Sequence, residues 1–226
     1  MKRNQIILGI VAFAIISIAA CKKVTTDSVS ESLRVSAPEI KLNGPQYVSI
    51  NVGGTYTDQG ATAKDTMYTV VGGVSFDASG VDASTPGLYP VVYRVKNDKG
   101  FETVTTRFVA VTNISATEDI SGFYRRTGTN GPMNVSKVTR GIYKTDNAGG
   151  VALAGSNPVT ANPQFLFDTY FVQLNDSSLL APFQPWLAGE ISLTTAKVRK
   201  MSSDTTIEWV VRNPSFGTAL RVFSHQ

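Results

Sequence analysis

The chain has one cysteine and one histidine in 226 residues. A single cysteine excludes an internal disulfide, so the fold must rest on its core. The lone histidine, His225, is the next-to-last residue. A frayed terminus is its expected state, and a proton carrier has to be held within reach of its substrate. Ser-His and Cys-His nucleophile systems are therefore excluded. Zinc sites built on N or S ligands go with them. Charge is sparse too. Charged residues make up 17% of the chain and the formal net charge is +4, with no basic stripe to point to nucleic acid. There is no helical heptad or long amphipathic period, and no apolar run reaches the roughly 20 residues of a bilayer span.

What is present begins at the N-terminus. Met1-Lys2-Arg3-Asn4 is short and basic, and the apolar stretch from Ile6 to Ala20 follows it. This is the charge-then-apolar order of a secretory signal. Ile18-Ala19-Ala20-Cys21 resembles a bacterial lipobox: an aliphatic residue, two small residues, then cysteine. The resemblance implies removal of residues 1–20 and lipidation of Cys21, which makes a membrane the first expected partner. Each buried methylene adds about 0.8 kcal/mol, so several acyl chains hold a protein durably. Loss of Lys2 and Arg3 lowers the net charge from +4 to +2. Residues 21–37 are rich in Ser, Thr and charge, the composition of a flexible tether.

From Pro38 onward the texture is β-prone runs cut by Gly, Asn, Asp and Pro, which reads as all-β. The first unit spans 38–112. "EIKL" and "YVSINV" are candidate strands across the turn Asn43-Gly44-Pro45. "VSF" and "LYPVVYRV" follow, and in the latter Tyr89, Val91, Tyr93 and Val95 share one face. "NDKG" at 97–100 is a hairpin turn. The returning strand "FETVTTRFVAVT" has an unclean apolar phase, which predicts a bulge. Together "PEIKLNG", "VGGTYTDQGATAKD", "STPGLYPVVYRVKNDKG" and "TRFVAV" resemble the Ig-like domains of bacterial surface proteins, including those appended to some insecticidal crystal proteins. That resemblance implies a β-sandwich of the disulfide-free type, with Tyr89 placed for a tyrosine corner.

A polar break, "NISATE" at 113–118, leads to a second unit at 117–226. Strands are predicted near "GFYRR", "MNVSKV", "GIYKTD", "QFLFDTYFVQL", "WLAGEISL", "TTIEWVV" and "ALRVFS". Seven or so strands with short connections give an antiparallel β-barrel or a second β-sandwich, and periodicity does not separate the two. The order of lipobox, tether, Ig-like unit and "SGFYRR…GIYKTD" module resembles a group of Bacteroidetes outer-membrane lipoproteins. The resemblance implies lipid anchoring at the outer membrane, on its surface or periplasmic face, among proteins of glycan and nutrient uptake.

The candidate chemistry is binding, not catalysis. Asp58 and Asp65 flank "QGATAK", and Asp77 and Asp82 flank "ASGV". These pairs lack the ligand density of a calcium loop and suit β-turns. No metal, cofactor or catalytic residue is expected. Trp209 alternates with Ile207 and Val211 and reads as core, as do Phe165, Phe167 and Phe171. Trp186 and Phe183 sit in "APFQPWLAG", where two prolines and a glycine predict a loop. They are the candidate ligand-binding residues, because aromatic faces beside polar groups suit a glycan. The competing expectation is a structural or adhesive lipoprotein with the Ig-like unit as a spacer and no small ligand.

Overall fold

The computed structural model describes residues 35–186, 189–201, 204–213 and 218–226, with the backbone alone for Phe183, Pro185, Trp186 and Gly189. The expected signal peptide, Cys21 and the tether up to residue 34 lie outside the described residues.

Six strands form the N-terminal sandwich: β1 (Glu39–Leu42), β2 (Tyr47–Ile50), β3 (Ala61–Lys64), β4 (Val70–Asp77), β5 (Gly87–Asn97) and β6 (Glu102–Val111). One sheet has the order β2-β6-β5-β4, with β2 parallel to β6; β1 and β3 pair as the other. The alternation in β5 holds. Val91, Tyr93 and Val95 are buried, while Arg94 and Lys96 are exposed. The hairpin turn also forms, with Gly100 at φ 83° and the Asn97 side chain accepting from the Lys99 and Phe101 N–H groups. Tyr89 makes the expected corner: its hydroxyl donates to the Thr85 carbonyl at 2.9 Å.

The bulge expected in β6 is absent. Its ladder with β5 runs unbroken from Gly87↔Val111 to Lys96↔Glu102. The apolar phase is unclean for two other reasons. Arg107 points into the core, and Phe108 and Ala110 on the opposite face are covered by the next unit. The irregularity lies instead in β4, between Val71 and Ser75. There Gly72 and Gly73 both take positive φ, 73° and 71°, a conformation that side-chain-bearing residues resist.

Eight strands follow: β7 (Gly122–Arg126), β8 (Pro132–Thr139), β9 (Ile142–Thr145), β10 (Thr169–Gln173), β11 (Leu179–Trp186), β12 (Gly189–Lys200), β13 (Thr205–Arg212) and β14 (Leu220–His225). Each pairs antiparallel with the next, and β14 pairs with β7 to close an up-and-down barrel. This decides between barrel and sandwich. Closure removes the free edges that an open sheet would expose. His225 is part of that closure, paired with Tyr124 and edge-on to its ring at 5.0 Å. The terminus is therefore held in a strand, contrary to the frayed end expected of it.

Among the described residues, side chains pack the barrel interior. Trp209, Tyr124, Tyr143, Phe171, Phe223 and Met133 are fully buried in one cluster. Trp209 Nε1 donates to the Ala148 carbonyl at 2.8 Å, tying the β9–β10 connection across one end. A void of about 10 Å³ remains between Asn147, Thr169 and Val211, room for one water at most. Phe171 is core as expected. Phe165 and Phe167 are not: they precede β10, with Phe165 in a short 3-10 turn, and both are half-buried.

The sandwich and barrel belong to one compact unit, Ser36–Gln226. Leu88, Ala110, Ile142 and Val172 form a shared apolar cluster, with Tyr47, Phe108 and Tyr170 packed against it. The three rings stack with centroids 5.2–6.1 Å apart, within the favourable range for aromatic pairs. The polar break between the units is itself pinned. The Glu118 carbonyl accepts from Lys137 Nζ at 2.6 Å and from the Tyr143 hydroxyl at 3.1 Å.

Candidate functional site

Asp77 and Asp82 each accept from the N–H two residues on, at 2.8 and 2.9 Å, and so set turns. Asp65 accepts from the Met67 and Tyr68 N–H groups and from Asn97 Nδ2. The Asn97 bond leads the causes that hold its carboxyl down at about 2. Among the described residues no three His, Cys, Asp or Glu side chains are grouped to hold a metal ion.

Asp58 is different. It is buried in the sandwich beside Arg107, with side chains 5% and 1% exposed and Arg107 Nη1 donating to Oδ2 at 2.9 Å. The hydroxyls of Tyr56 and Tyr93 and the Gly60 N–H donate to the same carboxylate. Burial pushes the Asp58 carboxyl up, but these four donors outweigh it and the net direction is down. Arg107 also donates to the carbonyls of Pro45 and Asn43, at 3.0 and 2.5 Å. Every strong donor and acceptor points at another member of the network. It is a structural staple, with no group left to meet a substrate.

With the barrel interior closed, a ligand would have to be met on the outside. The barrel wall is irregular at β11–β12. Three steps along β11, from Ala181 to Gln184, face two steps along β12, from Leu193 to Ile191. Pro182 and Phe183 form the bulge. A second shift lies between Thr194 and Lys197 in β12, where Thr195 takes φ 49°. Positive φ in a β-branched residue is a strained choice that neighbouring structure has to impose. The two bulges bound a depression of about 340 Å³ lined by Leu179–Pro182 and Ser192–Thr195. Among the described residues no charged side chain lines it. Leu180 is 36% exposed, and the Ser192 hydroxyl is buried with no hydrogen-bond partner among the described residues.

Phe183 and Trp186 lie in this wall. The backbone puts both in β11, not in the loop that the prolines predicted. Trp186 pairs with Gly189 as the last pair before the turn to β12. Their side chains are outside the described residues. Pro182 falls in the bulge and Pro185 beyond the end of pairing with β10, the two kinds of place where a strand tolerates proline. That pairing stops at Leu179 and Leu180. Beyond it the Gln184 side chain accepts from the Tyr170 N–H at 2.7 Å and donates to the Tyr170 carbonyl at 2.6 Å. Its amide stands in for a strand's peptide group. The sequence signal for this site was the Pro-x-x-Pro spacing, which marks irregular strand as well as loop.

A second, polar groove of about 610 Å³ lies on the sandwich at the β4 bulge, lined by Gly72, Gly73, Arg94, Lys96, Asp98 and Glu102 among others. Both cations already pair with Glu102.

Residues 40–111 match the family described as bacterial surface protein, Ig-like domain. The N-terminal sandwich is thus similar to bacterial surface Ig-like domains. The match covers β2 to β6 and most of β1, and it ends with β6, ten residues before the barrel begins at Gly122. Among solved structures, a crystal structure of a lipoprotein from Bacteroides thetaiotaomicron is 20% identical, covering 84% of this chain and 100% of its own, with a TM-score of 0.36. No curated protein matches the chain.

Proposed function

We propose that this chain is a lipid-anchored protein of the outer membrane that holds a glycan or related nutrient on its barrel wall, as an accessory to uptake. The observation that carries the reading is the filled barrel. Side chains occupy its interior, which supports a ligand met on the outside, and the β11–β12 wall carries both Phe183 and Trp186 in its backbone. The lipobox resemblance at Cys21 and the Ig-like match support a place in the cell envelope. Binding would rest on aromatic faces and hydrogen bonds at a fixed surface, with no bond made or broken.

A second reading has its own support. Filled cores in both units, joined by a shared apolar cluster, suit a rigid spacer or adhesive stalk without a small ligand. A glycan-binding screen with wild type and Trp186→Ala separates the two. The first reading expects the variant to lose about 1–3 kcal/mol of binding, as for a central aromatic contact, with its melting temperature unchanged. A variant that instead loses several kcal/mol of stability, with no glycan bound by wild type, favours the spacer.

A further inference from the structure

We infer that the depression between β11 and β12 takes the ring of an uncharged sugar, with the ring's apolar face on the β11 side and its hydroxyls on the β12 side. The inference rests on the reading of this wall as the glycan-contacting surface. The two sides of the depression differ in chemistry. From β11 come Leu179 to Pro182, four residues without a polar side chain. From β12 come Ser192, Thr194 and Thr195, each with a hydroxyl. A pyranose ring has the same division, with carbon-bound hydrogens on its face and hydroxyls around its edge. The volume of about 340 Å³ is at the small end of ligand sites, which run from about 300 to 1,000 Å³. It suits the short end of a glycan more than a long stretch of chain.

Ser192 is the residue with an unmet bond. Ile191 and Leu193 on either side of it belong to the barrel core, so alternation turns Ser192 to the outer face. There it is 4% exposed, and its hydroxyl has no hydrogen-bond partner among the described residues. A buried hydroxyl left so costs stability, and native structures seldom keep one without a cause. A ring hydroxyl seated against β12 supplies the missing bond. Pairing beside it is interrupted on both strands, between Ala181 and Gln184 and between Thr194 and Lys197, so the wall there has fewer bonds to hold it closed. Charge decides the class of sugar. Among the described residues no acid or base lines the depression. Arg212, the register partner of Ser192 on β13, is exposed and is not part of the lining. A carboxylate or sulfate seated here would lose its hydration with no cation to replace it.

The test measures binding of the full chain to oligomers of glucose, galactose and mannose, each beside the matching uronic-acid oligomer, which carries one carboxylate per ring. Wild type is expected to bind a neutral oligomer at least about tenfold tighter than its acidic counterpart. Ser192→Ala is expected to weaken that binding about tenfold, while its melting temperature stays the same or rises because the orphaned hydroxyl is gone. Leu180→Asp puts a charge on the apolar side at an exposed position, and is expected to weaken neutral binding by about the same factor. Acidic oligomers bound as tightly as neutral ones, or neutral binding unchanged in either variant, overturn the inference and leave the glycan reading standing. A Ser192→Ala variant that melts several degrees lower also overturns it, since the hydroxyl would then be bonded within the fold. Wild type that binds none of the oligomers removes the glycan reading, and the inference falls with it.

Discussion

At the scale of single residues, Arg107 and Asp58 carry the Ig-like core in a chain with no disulfide to lean on. Removing one partner of such a pair leaves a buried charge without compensation, which typically costs about 3–5 kcal/mol. Arg107→Met is expected to lose stability in that range by denaturant unfolding. Adding Asp58→Asn removes the stranded charge; the amide oxygen can still accept from the Gly60 N–H, and its NH2 can donate to the tyrosine oxygens. The double variant is expected to recover more than half of the loss. A single variant within 1 kcal/mol of wild type, roughly the worth of an exposed pair, would show that the network is not the staple described. Trp209 and the β5 face were legible because alternation and burial agree there. Arg107 was not, because the alternation rule equates inward with apolar. A charged residue on the inward phase looks like a break in the pattern, although its partner lies 49 residues away in the sequence.

At the scale of elements, the barrel's weakest seam lies between β10 and β11. Backbone pairing there covers only two residue pairs, and the Gln184 side chain supplies the rest. Gln184→Ala removes the partners that the half-buried N–H and carbonyl of Tyr170 have in Gln184. A fully buried orphaned group costs about 1–3 kcal/mol; these two are half-buried, so a loss of roughly 2–4 kcal/mol is expected, together with faster hydrogen exchange at the Tyr170 amide. Unchanged exchange would mean that the amide is protected by something other than Gln184. The strand itself was hidden by its prolines. Two prolines and a glycine in nine residues read as loop, yet one proline sits in a bulge and the other past the last pair with β10. The strands around it were visible, since β7, β8, β9, β13 and β14 have turn residues at their ends and few interruptions. The eighth strand was the one needed to see a closed barrel, and so barrel and sandwich stayed level.

At the scale of the whole molecule, the junction was the least legible feature. Phe108 and Ala110 on β6, and Tyr170 and Val172 on β10, are apolar residues on faces that alternation assigns to solvent. Each pair looks like noise until the other is placed against it. Their contact predicts that Ser36–Gln226 unfolds as one block. The calorimetric and van't Hoff enthalpies are then equal, the mark of a two-state transition, and proteases leave residues 113–118 intact because Lys137 and Tyr143 hold that segment. Tyr170 is the residue to remove. It stacks on both Tyr47 and Phe108 across the junction, and its side chain points away from the barrel core. Tyr170→Ala is expected to cost about 2–3 kcal/mol, less than for a fully buried aromatic. The loss falls on the coupling between the units more than on either core. The variant should therefore melt in two steps, with cleavage appearing near residues 113–118 between them. Two separate transitions in wild type would instead mean that the shared cluster is too weak to couple the units. The barrel would then move independently of the Ig-like unit.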